Sequence, residues 1–134
     1  MSCQGLFITG TDTGVGKTHV ACLVLRALKS SGLRIAAYKP VCSGALDRPQ
    51  NPPTWDDLLR LQAAVGGSTT VDQLCRQRFL APLAPPLAAR LEQRQVDPLA
   101  IDAGLADCCT RADAVIVEGA GGWLCPLTET ETLA

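Results

Sequence analysis

Nine residues near the amino terminus, Gly10-Thr11-Asp12-Thr13-Gly14-Val15-Gly16-Lys17-Thr18, carry the parts of a phosphate cradle. Such a loop turns successive backbone N–H groups and a helix N-terminus toward an anion, and it needs glycine where the backbone must come close or take a positive φ. Gly14 and Gly16 meet that need. Lys17 can reach β- and γ-phosphates, and the Thr18 hydroxyl is a ligand for Mg²⁺. The run departs from G-x-x-x-x-G-K-[ST] at one point: Thr11 stands where the first glycine belongs, and Gly10 precedes it.

Mg²⁺ takes oxygen ligands, commonly one or two carboxylates besides the phosphates. Glu118, closing the apolar run Ala114-Val115-Ile116-Val117, is well placed to be one, and the glycines after it let a backbone approach a ligand. Asp57 is an equal case for two readings, since an acid in a helix's first turn is already explained by capping and the macrodipole. Lys39 opens Lys39-Pro40-Val41-Cys42-Ser43-Gly44, where an exposed lysine before an ordinary turn is the simpler local account. His19 reads as a first-turn helix residue. Trp55 and Trp123 flank these residues, and each fits either a pocket wall or a partial core anchor.

These residues need particular elements behind them. Gly5 to Thr9 reads as a strand leading into the glycine-rich loop. From Lys17, the apolar positions Val20, Leu23, Val24, Ala27 and Leu28 trace one helical face, with Gly32 at the C-cap. Leu33 to Tyr38 is a second strand of near-continuous apolar character, as in a sheet covered on both faces. Val41 to Pro53 reads as a long loop. Thr54 and Asp57 then suggest a capping box opening a helix through Leu58, Leu61 and Val65. Residues 66–84 give mixed signals. Helices are expected from Pro85 to Arg94 and from Pro98 to Arg111, the second capped by Asp97, before the strand Ala114 to Glu118. Strands alternating with helices predict an α/β domain with a parallel sheet, whose ligands gather at the carboxyl ends of the strands. Gly10 to Thr18, Lys39 and Glu118 then share one edge.

The 134 residues are most simply one domain, long enough to hide roughly two-thirds of the unfolded surface. A net charge of -1 with interleaved signs gives no reason to expect nucleic acid or a membrane surface as partner. The start lacks a basic segment and a long apolar run, so a cytoplasmic protein is expected. Seven cysteines without C-x-x-C spacing and a single histidine suggest neither a disulfide frame nor a zinc site, and the thiols read as buried or free.

Taken together, FITGTDTGVGKT, YKPVCSG, WDDLLRLQ and VIVEGAGGWLCPL, in that order, resemble the ATP-dependent dethiobiotin synthetase family. The family's loop also lacks the first glycine, so Thr11 becomes part of the likeness. The resemblance implies a P-loop NTPase-like three-layer fold with a mostly parallel sheet, and a cyclo-ligase of biotin synthesis. In that reaction 7,8-diaminopelargonic acid takes up CO2 as a carbamate, ATP phosphorylates it, and the second amine closes the ureido ring. It implies ATP contacts from Gly14, Val15, Gly16, Lys17, Thr18, His19, Asp57, Glu118, Gly119, Ala120 and Gly121. Thr18, Asp57 and Glu118 would hold Mg²⁺. Lys17 and Lys39 would be catalytic, and Ser43 and Lys39 would touch the substrate. A homodimer is implied as well.

The family runs well beyond this length, so the expectation is a domain over residues 1–134 with its C-terminal part missing and with apolar edges of the sheet left uncovered. Two other readings share the loop. One is a related P-loop amide synthetase or partitioning-type ATPase, though the latter usually has a lysine early in the loop where this chain has Asp12. The other is a nucleotide-binding fragment without catalysis.

Overall fold

The computed structural model describes residues 2–47 and 52–133. Three strands, β1 (Gln4–Ile8), β2 (Ile35–Tyr38) and, later in the chain, β5 (Ala114–Glu118), form a parallel sheet in the order β1-β5-β2. Between β2 and β5 the chain forms β3 (Val41–Ser43) and β4 (Gln77–Phe79), which pair in parallel as a separate ribbon. The helices are α1 (Lys17–Ser30), α2 (Asp56–Val65), α3 (Val71–Leu74), α4 (Pro85–Leu91) and α5 (Pro98–Arg111).

Alternation along the central strands explains the layers, because successive side chains leave a strand on opposite faces. Ala37 and Ile116 enter one core with Ala21, Cys22 and Leu25 of α1 and Leu58, Leu61 and Ala64 of α2. Ala36, Tyr38 and Val115 face the other way and pack with Cys108 of α5. Both faces of β2 and β5 are thus covered, which is why their sequences are apolar without interruption. A third cluster of Val41, Phe79, Ala88 and Ala89 joins the ribbon to α4.

The outer strand β1 is different. Leu6 and Phe7, which leave the strand on opposite faces, are 48% and 42% exposed, matching the expectation of an uncovered apolar edge. A cavity of about 870 Å³ lies along this edge and is lined by Leu6, Val24, Leu28 and Leu33.

Several local expectations hold and several do not. α5 and β5 have the expected bounds, and the Asp97 carboxylate caps α5 by accepting from Leu99 N–H at 2.9 Å. α4 ends at Leu91 rather than Arg94. The capping box at Thr54 is absent: Trp55 is the N-cap of α2 without a side-chain cap bond, and the Thr54 hydroxyl is buried with no partner. A capping box does occur at α3, where Thr70 and Gln73 cap each other reciprocally. The loop expected over 41–53 begins instead with β3, and its stretch 48–51 lies outside the described residues. Among the described residues, no helix is long and apolar enough to cross a membrane.

Candidate functional site

The phosphate-loop backbone follows from its glycines. Gly14 and Gly16 have φ of 76° and 105°, and Gly16 is the N-cap of α1, so Lys17 and Thr18 occupy the first helical positions. A second glycine-rich segment, after β5, lies against this loop. Trp123 N–H donates to Gly10 O at 2.8 Å, and a Cβ at Gly122 would strike the Thr11 carbonyl. Gly122 is therefore the residue that lets the two loops touch. Lys17 is buried and its Nζ donates to Asp12 O at 2.6 Å, which folds its side chain back over the loop.

Parallel pairing brings the other groups to the same edge. Ile8 is level with Glu118, and Tyr38 with Val117, so the ends of all three strands meet. Lys39, one residue past β2, is held by its own N–H bond to Leu74 O at 2.8 Å. Its ammonium lies 2.8 Å from Glu118 Oε1 and 3.0 Å from Asp57 Oδ2. The Thr18 hydroxyl lies 2.7 Å from Glu118 Oε1 and 2.9 Å from Asp57 Oδ1. One hydroxyl has one proton, so it satisfies only one of these carboxylates at a time. Glu118 is 1% exposed, and its Oε2 is buried without a partner.

This arrangement is an oxygen-rich nook with an excess of acceptors over protons. Two carboxylates, one of them with an orphaned oxygen, and a hydroxyl suit a hard cation that also binds phosphate oxygens and water. Among the described residues, no group of three or more His, Cys, Asp or Glu side chains forms a metal cluster of its own. The donor set therefore fits Mg²⁺ arriving with a phosphate better than a resident metal.

The electrostatics of the nook are set by burial and charge pairing. Burial works against the charge on Lys39, but Glu118 and Asp57 outweigh it and raise the pKa of the ammonium. For Asp57, burial raises the pKa, but the Lys39 charge and the bonds from Lys39 and Thr18 win and hold the carboxyl below its ordinary range. The stability tied to Asp57 is then fully present above the unfolded carboxylate pKa of about 4 and is lost as pH falls through the lower folded value. Asp57→Asn is expected to flatten the acid limb of stability below about pH 5 and leave its slope unchanged between about pH 6 and 8. Urea midpoints measured across that range check this, and an unaltered acid limb would refute it.

Two cavities adjoin these groups. One, of about 330 Å³, is bounded by Gly14, Gly16, Lys17, Thr18, His19 and Glu118. The other, of about 550 Å³, is bounded by Ser43, Leu83, Ala120, Gly122 and Cys125. Lys39 and Asp57 line both. Volumes of this order enclose small ligands. The larger cavity along β1 has its charged groups, Arg34 and Asp113, paired with each other, so chemistry rather than size marks the site.

Of the residues singled out in the sequence, Gly14, Gly16, Lys17, Thr18, His19, Lys39, Asp57, Glu118 and Gly121 meet around the first cavity, and Ser43 and Ala120 around the second. Val15 and Gly119 line neither, and Val15 is 53% exposed. Ser43 Oγ donates to Leu83 O at 2.7 Å. Neither tryptophan lines either of these two cavities: Trp55 packs against the core with its Nε1 donating to Phe79 O at 2.9 Å, and the Trp123 side chain is exposed. Arg60, Leu124 and Cys125 line the cavities without having been singled out. Arg60 had a signal, since it lies three residues after Asp57 on the same helical face.

The cysteines behave as packing groups. All seven are free thiols, and Cys22, Cys42, Cys75 and Cys108 are buried. Burial pushes the Cys75 thiol up to about 11 and the Cys42 thiol up as well, despite the nearby Lys39.

Comparison with known proteins identifies the family. The AAA domain family matches residues 4–134. The ATP-dependent dethiobiotin synthetase of Anaeromyxobacter sp. (strain Fw109-5) is 50% identical over 131 residues, which is 98% of this chain and 56% of that protein. Those of Caulobacter sp. (strain K31) and Escherichia coli (strain K12) are 42% and 41% identical, over 95% and 96% of this chain and 55% and 56% of theirs. The chain thus spans a little over half the length of these relatives. With the match running from residue 4 to residue 134, the chain belongs to the AAA domain family and has its P-loop NTPase-like α/β fold, similar over nearly its whole length to ATP-dependent dethiobiotin synthetases.

Proposed function

We propose that residues 1–134 are the phosphate-loop, ATP-activating domain of a dethiobiotin synthetase of biotin synthesis, acting on 7,8-diaminopelargonic acid, CO2 and ATP. The observation that carries this reading is the position of Lys39. Its ammonium stands in the wall common to the phosphate-loop cavity and the adjoining cavity beside Ser43. A cation there neutralises charge both on a carbamate in the second cavity and on a phosphoryl group moving from the first. Sequence identity of 41–50% to dethiobiotin synthetases supports the same assignment.

In this reading Gly14, Val15, Gly16 and His19 approach the nucleotide, and the loop amides and Lys17 bind its phosphates. Asp57 and Glu118 to Gly121 complete the nucleotide site. Ser43 orients the substrate amine or its carbamate. Thr18, Asp57 and Glu118 would hold Mg²⁺, which when bound offsets phosphate charge. Lys39 keeps its proton through neutral pH because two carboxylates hold it, so it acts as a fixed charge rather than as a proton carrier. The protein is further proposed to be cytoplasmic and to work as a homodimer.

The test is purified protein with diaminopelargonate, bicarbonate and Mg·ATP, with dethiobiotin followed by mass spectrometry. Product is expected, and it is expected to vanish in Lys39→Ala. The exposed β1 edge, and the relatives' greater length, favour a second reading in which the chain binds nucleotide without completing the reaction. Mg·ATP binding without dethiobiotin would select that reading. Absence of both would overturn the phosphate-loop assignment itself.

A further inference from the structure

Two lysines and one arginine line the phosphate-loop cavity, and both lysines are already engaged. Lys17 Nζ donates to Asp12 O, and the Lys39 ammonium is held between Glu118 and Asp57. The arginine, Arg60, has its side chain 44% exposed, and among the described residues it makes one ion pair, to Asp56 Oδ2 at 3.9 Å. That pair is long and lies at the surface, with the Asp56 side chain 63% exposed, so it contributes little and is readily exchanged. A guanidinium carries five N–H donors in a fixed fork, and at that distance Asp56 takes none of them as a hydrogen bond.

The helix explains where this guanidinium stands. α2 turns Leu58, Leu61, Ala64 and Val65 into the core, which leaves Arg60 at the rim, one turn after the acidic pair Asp56 and Asp57 that opens the helix. Long side chains on a helix lean toward its N-terminus and over the preceding turn. For Arg60 that is the turn carrying Asp57, so its charge reaches the wall of the cavity of about 330 Å³ that also includes Gly14, Gly16 and Thr18.

We propose that Arg60 is a binding residue for the nucleotide: when a triphosphate enters the cavity, the guanidinium leaves Asp56 and closes on a phosphate oxygen, so that α2 clamps the anion that the loop and Lys17 cradle. This role rests on the proposed phosphate-loop function. A phosphate presents oxygens that match the arginine fork, which the distant Asp56 carboxylate does not. The acidic and basic side chains lining the cavity balance formally, with Lys17, Lys39 and Arg60 against Asp56, Asp57 and Glu118. A triphosphate adds negative charge even with Mg²⁺ beside it, and Arg60 is the cation there with donors to spare. Asp56 acts as a competitor that holds the guanidinium until the nucleotide arrives.

Titration calorimetry of the full chain with Mg·ATP tests this. Arg60→Ala is expected to weaken binding about 10-fold, the low end for a charge-assisted bond because the site is open to water. Its urea midpoint is expected to stay the same, since Arg60 lies outside the buried face of α2 and alanine suits a helix. Arg60→Lys, which keeps the charge but not the planar fork, is expected to fall between the two. Added salt should weaken binding less steeply in Arg60→Ala than in the unaltered protein. Asp56→Asn breaks the same surface pair from its other side and is expected to bind Mg·ATP at least as tightly as the unaltered protein. The proposal is overturned if Asp56→Asn loses as much affinity as Arg60→Ala, because Arg60 would then only steady α2, or if Arg60→Ala binds with unaltered affinity. Absence of Mg·ATP binding by the unaltered protein overturns the phosphate-loop function itself, and this role with it.

Discussion

Lys39→Ala is expected to destabilise the protein by about 3–5 kcal/mol, the cost of breaking a buried ion pair from one side. Glu118 is 1% exposed, and its Oε1 depends on Lys39 at 2.8 Å and on a Thr18 proton that Asp57 also claims. With the ammonium gone, that carboxylate stays buried with at most one donor, while its Oε2 already has none. Adding Glu118→Gln to Lys39→Ala should recover much of the loss, because the amide carries no charge and supplies donors of its own. Urea denaturation of the two single variants and the double variant gives a coupling energy, expected at about 1–3 kcal/mol. A cost for Lys39→Ala below about 1 kcal/mol, or equal costs with and without Glu118→Gln, would show that the pair is not coupled. The same coupling means that product formation by Lys39→Ala has to be read at a temperature where circular dichroism shows it folded.

Lys17→Ala is expected to behave in the opposite way, with a small change in stability and a large one in binding. The Lys17 ammonium makes a hydrogen bond to a loop carbonyl, Asp12 O at 2.6 Å, rather than an ion pair, so its removal costs about 1 kcal/mol of folding energy. Its reach toward a bound phosphate is another matter. A charge-assisted bond in a partly buried site is worth about 1.5–3 kcal/mol, so Mg·ATP affinity should fall about 10- to 150-fold. Titration calorimetry measures it directly. Unchanged affinity would remove the phosphate-cradle reading. Two lysines close to one another in space are therefore separable by experiment, one by stability and the other by ligand affinity.

How far each element could be read in advance follows from the range of the forces that make it. The phosphate loop, α5 and β5 depend on neighbours in the chain: glycines at positive φ, an Asp97 cap before Pro98, and an unbroken apolar run. Such signals lie within a few residues and are written in the sequence. The ribbon of β3 and β4 was invisible because each strand has three residues, and each is stabilised by a partner more than thirty residues away. The α2 start failed for a related reason. Thr54 matched the pattern of a cap, but packing buried its hydroxyl away from the helix amides.

The site divides along the same line. Residue types and spacing alone pointed to Gly14, Gly16, Lys17 and Thr18 as an anion cradle, because a cradle is built from one continuous stretch of backbone. For Lys39 and Asp57 the local chemistry left bland and functional readings open. Their outcome depended on parallel pairing that levels Ile8 with Glu118, and on the Leu74 carbonyl that fixes Lys39. Burial then turned an apparently ordinary surface lysine into the ammonium shared by two carboxylates, since charges removed from water must find each other. Local hydrogen bonding and backbone sterics are encoded by adjacent residues, whereas burial and charge pairing exist only once distant segments have packed.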